Sequence, residues 1–141
     1  MLDTQPVETY GPTGTAELNQ APAPGDIKVC MLAACPFPAN HGTPGSIREM
    51  SESLVEEGYE THIVTYHFGE EIPVNGPLVH RVPALTGESQ IVVGPTTRRP
   101  LYDLQMVFTA TRVIRDHELD VIHAHGYEAA LVGWLCHLMT R

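Results

Sequence analysis

Basic residues are scarce in this sequence. Eight Lys and Arg stand against 17 Asp and Glu in 141 residues, a formal net charge of −9. Such a chain has no cationic stripe with which to neutralise phosphates along a duplex, which argues against DNA or RNA as a partner. Long apolar runs are also missing: no stretch reaches the roughly 18–20 apolar residues that a bilayer-spanning helix needs. Cysteine is sparse and odd in number (Cys30, Cys35, Cys136), too little for a disulfide framework. That usage fits a reduced compartment, and a cytoplasmic location is expected. The start of the chain has neither the basic head nor the apolar run of a secretory signal. What is present, 43 % hydrophobic residues, suits a single folding unit of about 100–200 residues.

Residues 1–26 hold four Pro, three Gly, four acids and no Lys or Arg. Without apolar periodicity they read as a disordered lead-in. From Ile27 the pattern alternates. Ile27 to Ala34 is a nearly all-apolar run that suits a strand buried on both faces of a parallel sheet, and Pro36 and Pro38 stop it. Ile47, Met50 and Leu54 then mark the buried side of a helix over Ser46–Glu57, with Ser46 and Glu49 as a capping box and Gly58 as its stop. Strands are expected over Thr61–Tyr66, Leu78–Pro83 and Asp120–Ala124. Ala84 to Pro100 reads as a loop. A helix from about Pro100 to His117 has Leu104, Val107, Phe108, Thr111 and Ile114 on one face, and a last apolar helix covers Glu128–Met139, with Trp134 in the core. This order is that of an open, doubly wound α/β sheet, with helices on both faces. The last helix reaches Arg141 with no closing glycine and no following strand, so the chain reads as cut short.

In open parallel sheets, ligands sit at the carboxyl ends of the strands. Two loops lie there. Asn40-His41-Gly42-Thr43-Pro44-Gly45 leads into a helix amino terminus, where small residues let a phosphate approach the backbone N–H groups and the Thr43 or Ser46 hydroxyl can add a donor. The alternative is that Gly42 and Gly45 only shape the turn. The loop is neither a GxGxxG dinucleotide turn nor a Walker loop, which counts against an NAD-linked oxidoreductase and a P-loop NTPase. The second loop is Asp120-Val121-Ile122-His123-Ala124-His125-Gly126-Tyr127-Glu128. Strand alternation puts His123 and His125 on one face, with Glu128 in the first turn of the next helix. Three readings compete: hydrogen bonding and acid–base contact with a polar substrate, a core role for His123 with only His125 facing the crevice, and a His/His/Glu metal site lacking further ligands. His62 and His80 read as packing or edge residues, His117 and His137 as cations near helix ends, His67 as a minor candidate, and Arg98-Arg99 as a solvated pair opening a helix.

Pro38-Ala39-Asn40-His41-Gly42-Thr43-Pro44, then Met50, Leu54, Gly58-Tyr59 and Thr61-His62-Ile63-Val64-Thr65, resembles the opening of family 4 glycosyltransferases. Asp120-Val121-Ile122-His123-Ala124-His125 is similar to the end of that family's fourth strand. The resemblance covers residues 27–141. His41, Ser51 and Tyr59 depart from it where a second glycine, an alanine and a histidine are usual. It implies the amino-terminal, acceptor-side part of a GT-B enzyme: two Rossmann-like domains facing across a cleft, transferring a sugar from a nucleotide-sugar with retention and without a required metal or other cofactor.

His41, Gly42, Thr43, His123, His125 and Glu128 become the candidate substrate-binding residues. The family's main active-site histidine is expected beyond Arg141, and the donor-holding carboxyl-terminal domain is missing. The fragment alone is therefore expected to be inactive. The acceptor is a glycan, a lipid-linked or a small molecule, the lipid-linked case bringing peripheral membrane contact. The competing readings are a stand-alone flavodoxin-like module binding a phosphorylated ligand and, third, a metallohydrolase.

Overall fold

The computed structural model describes residues 23–84 and 99–141. Most of the expected lead-in and residues 85–98 of the expected loop, Arg98 among them, lie outside the described residues. The last residues of the lead-in form a short 3-10 turn, Pro24–Asp26.

Four strands follow in chain order with three helices: β1 (Lys28–Ala33), α1 (Gly42–Glu56), β2 (Glu60–Thr65), β3 (Leu78–Arg81), α2 (Arg99–His117), β4 (Val121–His125) and α3 (Tyr127–Thr140). The strands form one sheet in the order β3-β2-β1-β4, and every pair is parallel. The expected α/β sheet is present, Rossmann-like and covered on both faces. Strands β1 and β2 are central and almost entirely buried, whereas β3 and β4 are edges and only partly covered.

Alternation along β1 divides the core in two. Val29, Met31 and Ala33 point with Ile63 and Phe37 toward Ile47 of α1. Cys30 and Leu32 point with Val64 and Tyr66 toward Met106 and Ala110 of α2 and Val132 and Cys136 of α3. The stripe Cys30, Leu32, Ala34, none of them branched at Cβ, leaves room for α3 to approach closely at Gly133, where an added Cβ would lie 3.3 Å from Leu32 and 3.2 Å from Ile122.

The helix boundaries and faces differ from the sequence expectation in three places. First, α1 begins at Gly42, four residues before Ser46, and Ser46 caps nothing: its hydroxyl donates back to the Gly42 carbonyl at 3.4 Å. Pro44 in the first turn explains the early start, because a fixed φ and a missing N–H cost nothing there. Second, the buried side of α1 runs through Ile47 and Ser51, while Met50 is 40 % exposed. The small Ser51 lets the helix lie close to the sheet, and its hydroxyl is satisfied by the Arg48 carbonyl at 2.8 Å. Third, α2 buries Met106, Ala110 and Val113, which leaves Leu104 and Phe108 outside, and Trp134 of α3 is 58 % exposed instead of in the core. Gly58 ends α1 as expected, at φ +94°.

The segment after β2 folds back against the loop after β1. Phe37 donates its N–H to the Phe68 carbonyl at 3.2 Å, and Glu70 donates its own to Pro38 at 2.8 Å. Gly69 sits so close that a Cβ there would lie 2.0 Å from the Phe37 carbonyl oxygen, so no other residue fits without moving backbone. The Phe37–Pro38 peptide is cis.

Candidate functional site

The sheet order reverses between β1 and β4: the chain steps outward from β1 to β2 to β3, then returns to the other side of β1. The carboxyl ends of β1 and β4 therefore border the topological switch point, where open α/β sheets bind ligands. The loop from β1 into α1 and the loop from β4 into α3 both start there, as the sequence pattern led us to expect.

On the β1 side, α1 presents an uncapped amino terminus. Its N-cap residue is His41, which makes no side-chain capping bond, and its first turn carries no acid. The leading N–H groups of a helix have no intrahelical acceptor, so an anion is their natural partner. Gly42 has φ +55°, a conformation that favours glycine, and nothing lies within 4 Å of where its Cβ would stand. The backbone is thus open to an incoming group at Gly42 and Thr43, both exposed. His41 is swung to the rim, with Nδ1 3.8 Å from the Glu70 carboxylate.

On the β4 side, His123 and His125 share one face. Their rings stack with centroids 4.4 Å apart and planes within 26°. They pair in register with Met31 and Ala33, placing them on the α1 side of the sheet. His125 Nε2 is buried and has no hydrogen-bond partner among the described residues. Burial first and the neighbouring His123 second hold the His125 imidazole below its ordinary pKa, favouring the neutral ring. A neutral imidazole with an unsatisfied nitrogen is a hydrogen-bonding position waiting for a polar group.

Glu128 does not join this pair. Its carboxylate meets Arg99 Nη1 at 3.3 Å, so it ties the start of α3 to the start of α2. Arg99, read from the sequence as solvated, is therefore an ion-pair partner. The His/His/Glu trio of the metal reading is not brought together at this edge among the described residues.

A second polar group at the same edge was not legible in the sequence. Tyr66, immediately after β2, donates its hydroxyl to Asp103 Oδ1 at 2.7 Å. Burial raises the Asp103 carboxyl above its usual range, and burial together with this bond raises the tyrosine still more. Arg81 at the end of β3 donates to the Phe37 carbonyl at 2.8 Å and to the Tyr66 carbonyl at 3.2 Å, which joins three strand ends. Cys35 lies nearby, but burial pushes its thiol up to about 11, so it is no nucleophile near neutral pH. His67 packs edge-on against Phe68 and Tyr102. Nothing in their spacing could have paired Tyr66 with Asp103, 37 residues apart.

The edge thus combines an open helix amino terminus suited to an anion with a neutral histidine suited to a hydroxyl. Compared with known families, the chain is matched by the family model described as Glycosyltransferase Family 4 over residues 42–140. No curated protein matches it.

Proposed function

This chain belongs to glycosyltransferase family 4, and from that premise we propose that it forms the acceptor-side wall of a cleft in which a sugar passes from a nucleotide-sugar to an acceptor. The transfer is of the hexosyl type, proceeds with retention and requires no metal. The observation that carries this reading is the uncapped start of α1 at the switch point, opened by Gly42 at φ +55°.

In this reading the N–H groups of Gly42 and Thr43 and the positive end of α1 receive the donor diphosphate. As the glycosidic bond to phosphate breaks, negative charge grows on the leaving nucleotide, and fixed dipoles aimed at that charge lower the barrier. His125, neutral and with Nε2 unpartnered, hydrogen-bonds a hydroxyl of the bound sugars, with His123 stacked behind it. His41 at the rim meets the outer part of the ligand. Glu128 acts indirectly, by holding Arg99. A facing domain supplies the donor-binding groups, and the acceptor is a glycan, a lipid-linked or a small molecule. One wall of a cleft cannot exclude water or surround the leaving group, so this chain by itself does not turn over.

Amide chemical-shift mapping of the chain with a nucleoside diphosphate tests the reading. We expect the largest shifts at Gly42 and Thr43, and their loss in Gly42→Val, whose side chain both strains the backbone and fills the open space. Shifts spread elsewhere, or undiminished in the variant, would reject the phosphate role. Turnover of radiolabelled nucleotide-sugars by the isolated chain would reject the need for a second wall.

A further inference from the structure

The edge opposite the cleft holds a second histidine cluster, and it is built more completely than the first. His62 of β2, His80 of β3 and His117, the last residue of α2, come together there. One ligating atom from each lies within 4.8 Å of the other two. Lys28, the first residue of β1, donates to the His117 carbonyl at 3.1 Å, which fixes the end of α2 at the amino ends of the strands.

The hydrogen bonds determine which nitrogen faces which. His62 is completely buried. Its Nε2 lies 3.0 Å from the Glu60 carboxylate, which accepts only, so Nε2 carries the proton. In the neutral ring this leaves the lone pair on Nδ1, which faces His80 Nε2 2.9 Å away. The His62 and His80 rings lie parallel within 3°, and the His117 ring is tilted against His62 with centroids 4.4 Å apart. A carboxylate holding one ring nitrogen of a histidine while the other faces a cluster of imidazoles is the outer-shell arrangement that orients metal-bound histidine.

We propose that His62, His80 and His117 bind a zinc-type divalent cation, with Glu60 behind His62, and that the ion staples the edge strand β3 and the end of α2 to β2. Imidazole is the ligand type that such ions take, at about 2.0–2.1 Å, which puts tetrahedral nitrogen pairs about 3.3 Å apart. The His62–His80 pair needs to open by a few tenths of an ångström and His117 to close in. Three protein nitrogens leave the fourth position to water.

The surrounding charges are balanced. Arg112 pairs with Asp116 at 3.9 Å and Lys28 with Glu60 at 3.7 Å. The cluster lies at the amino ends of the strands, away from Gly42 and His125, so the ion takes no part in the transfer proposed above. β3 has only four residues and packs against the sheet on one side alone, so it gains most from a tie.

The test uses the full chain without a histidine tag, stripped with a chelator and titrated with Zn²⁺ by calorimetry, and with Co²⁺ by visible absorption. Binding of one ion per chain, with the intense bands of four-coordinate Co²⁺ and a Zn²⁺-dependent rise in Tm, is expected. His80→Ala and His117→Ala, both at partly exposed positions, should abolish all three signals, and Glu60→Gln should weaken binding by about 10–100-fold. The double variant H123A/H125A, at the opposite edge, should bind as the parent does. No stoichiometric binding, binding that survives in His80→Ala and His117→Ala when both fold, or binding lost in H123A/H125A would overturn the proposal.

Discussion

Gly69 shows how much a single residue can depend on neighbours distant in sequence, and His125 how much burial can change a side chain. Gly69 is needed because the Phe37 carbonyl lies where its Cβ would be, 2.0 Å away. Gly69→Ala must push two loops apart, and we expect a loss of about 3 kcal/mol, the upper end of ordinary point substitutions, by chemical denaturation. His125 is held neutral by burial and by His123. Because its folded pKa lies below the unfolded value, the unfolded chain binds more protons as pH falls below about 6.5. Stability should therefore decline from pH 7 toward pH 5 through this group. His125→Gln, which does not titrate, should flatten part of that slope in denaturation series at fixed ionic strength, and an unchanged slope would assign the pH dependence elsewhere. Glycine at 69 and histidine at 125 are both visible in the sequence. The constraint on Gly69 is not, because it arises from a contact made only after two separate segments pack, and the burial of His125 likewise waits on the assembled fold.

At the scale of elements, the starts and ends of helices decide what each side chain does. Strand alternation placed His123 and His125 on one face, and the structure agrees, because a period of two holds regardless of what the strand packs against. Glu128 was placed beside them by proximity in sequence, but α3 turns its first residues toward α2, where Arg99 takes the carboxylate. Glu128→Gln is accordingly expected to cost no more than about 1 kcal/mol, the value of a partly exposed ion pair, and to leave nucleoside diphosphate shifts at Gly42 unchanged. A loss of those shifts would return Glu128 to the binding site. The faces of α2 and α3 differ from the sequence expectation for a related reason. Apolar spacing identifies a stripe, but Leu104, Phe108 and Trp134 lie on the sides that neither the sheet nor the other helix covers.

Across the whole molecule, apolar surface is left uncovered on one side. Tyr127, Leu131, Trp134 and Leu138 recur at helical spacing along α3 and are each more than half exposed, and β4 beside them is an edge strand. An exposed apolar stripe of this kind marks a surface for packing. The chain alone should bind an apolar dye in its native state, and Trp134 should fluoresce as a water-exposed indole. Leu131→Lys with Trp134→Lys should remove most dye binding while leaving Tm within a few degrees. Dye binding that persists would place the exposed surface elsewhere. Among the described residues, no helix is long and apolar enough to cross a membrane, in line with the scarcity of long apolar runs.

The sequence by itself determined the order of strands and helices, the parallel α/β class, the two loops at the carboxyl edge and the family, since these follow from local periodicity and from short motifs read along the chain. Only the tertiary structure decided which of eight histidines meet. His62, His80 and His117 read separately as packing, edge and helix-end residues. They converge because the parallel crossovers bring β3 beside β2 and carry the end of α2 back to the start of the strands, and nothing local to any one of them encodes that meeting.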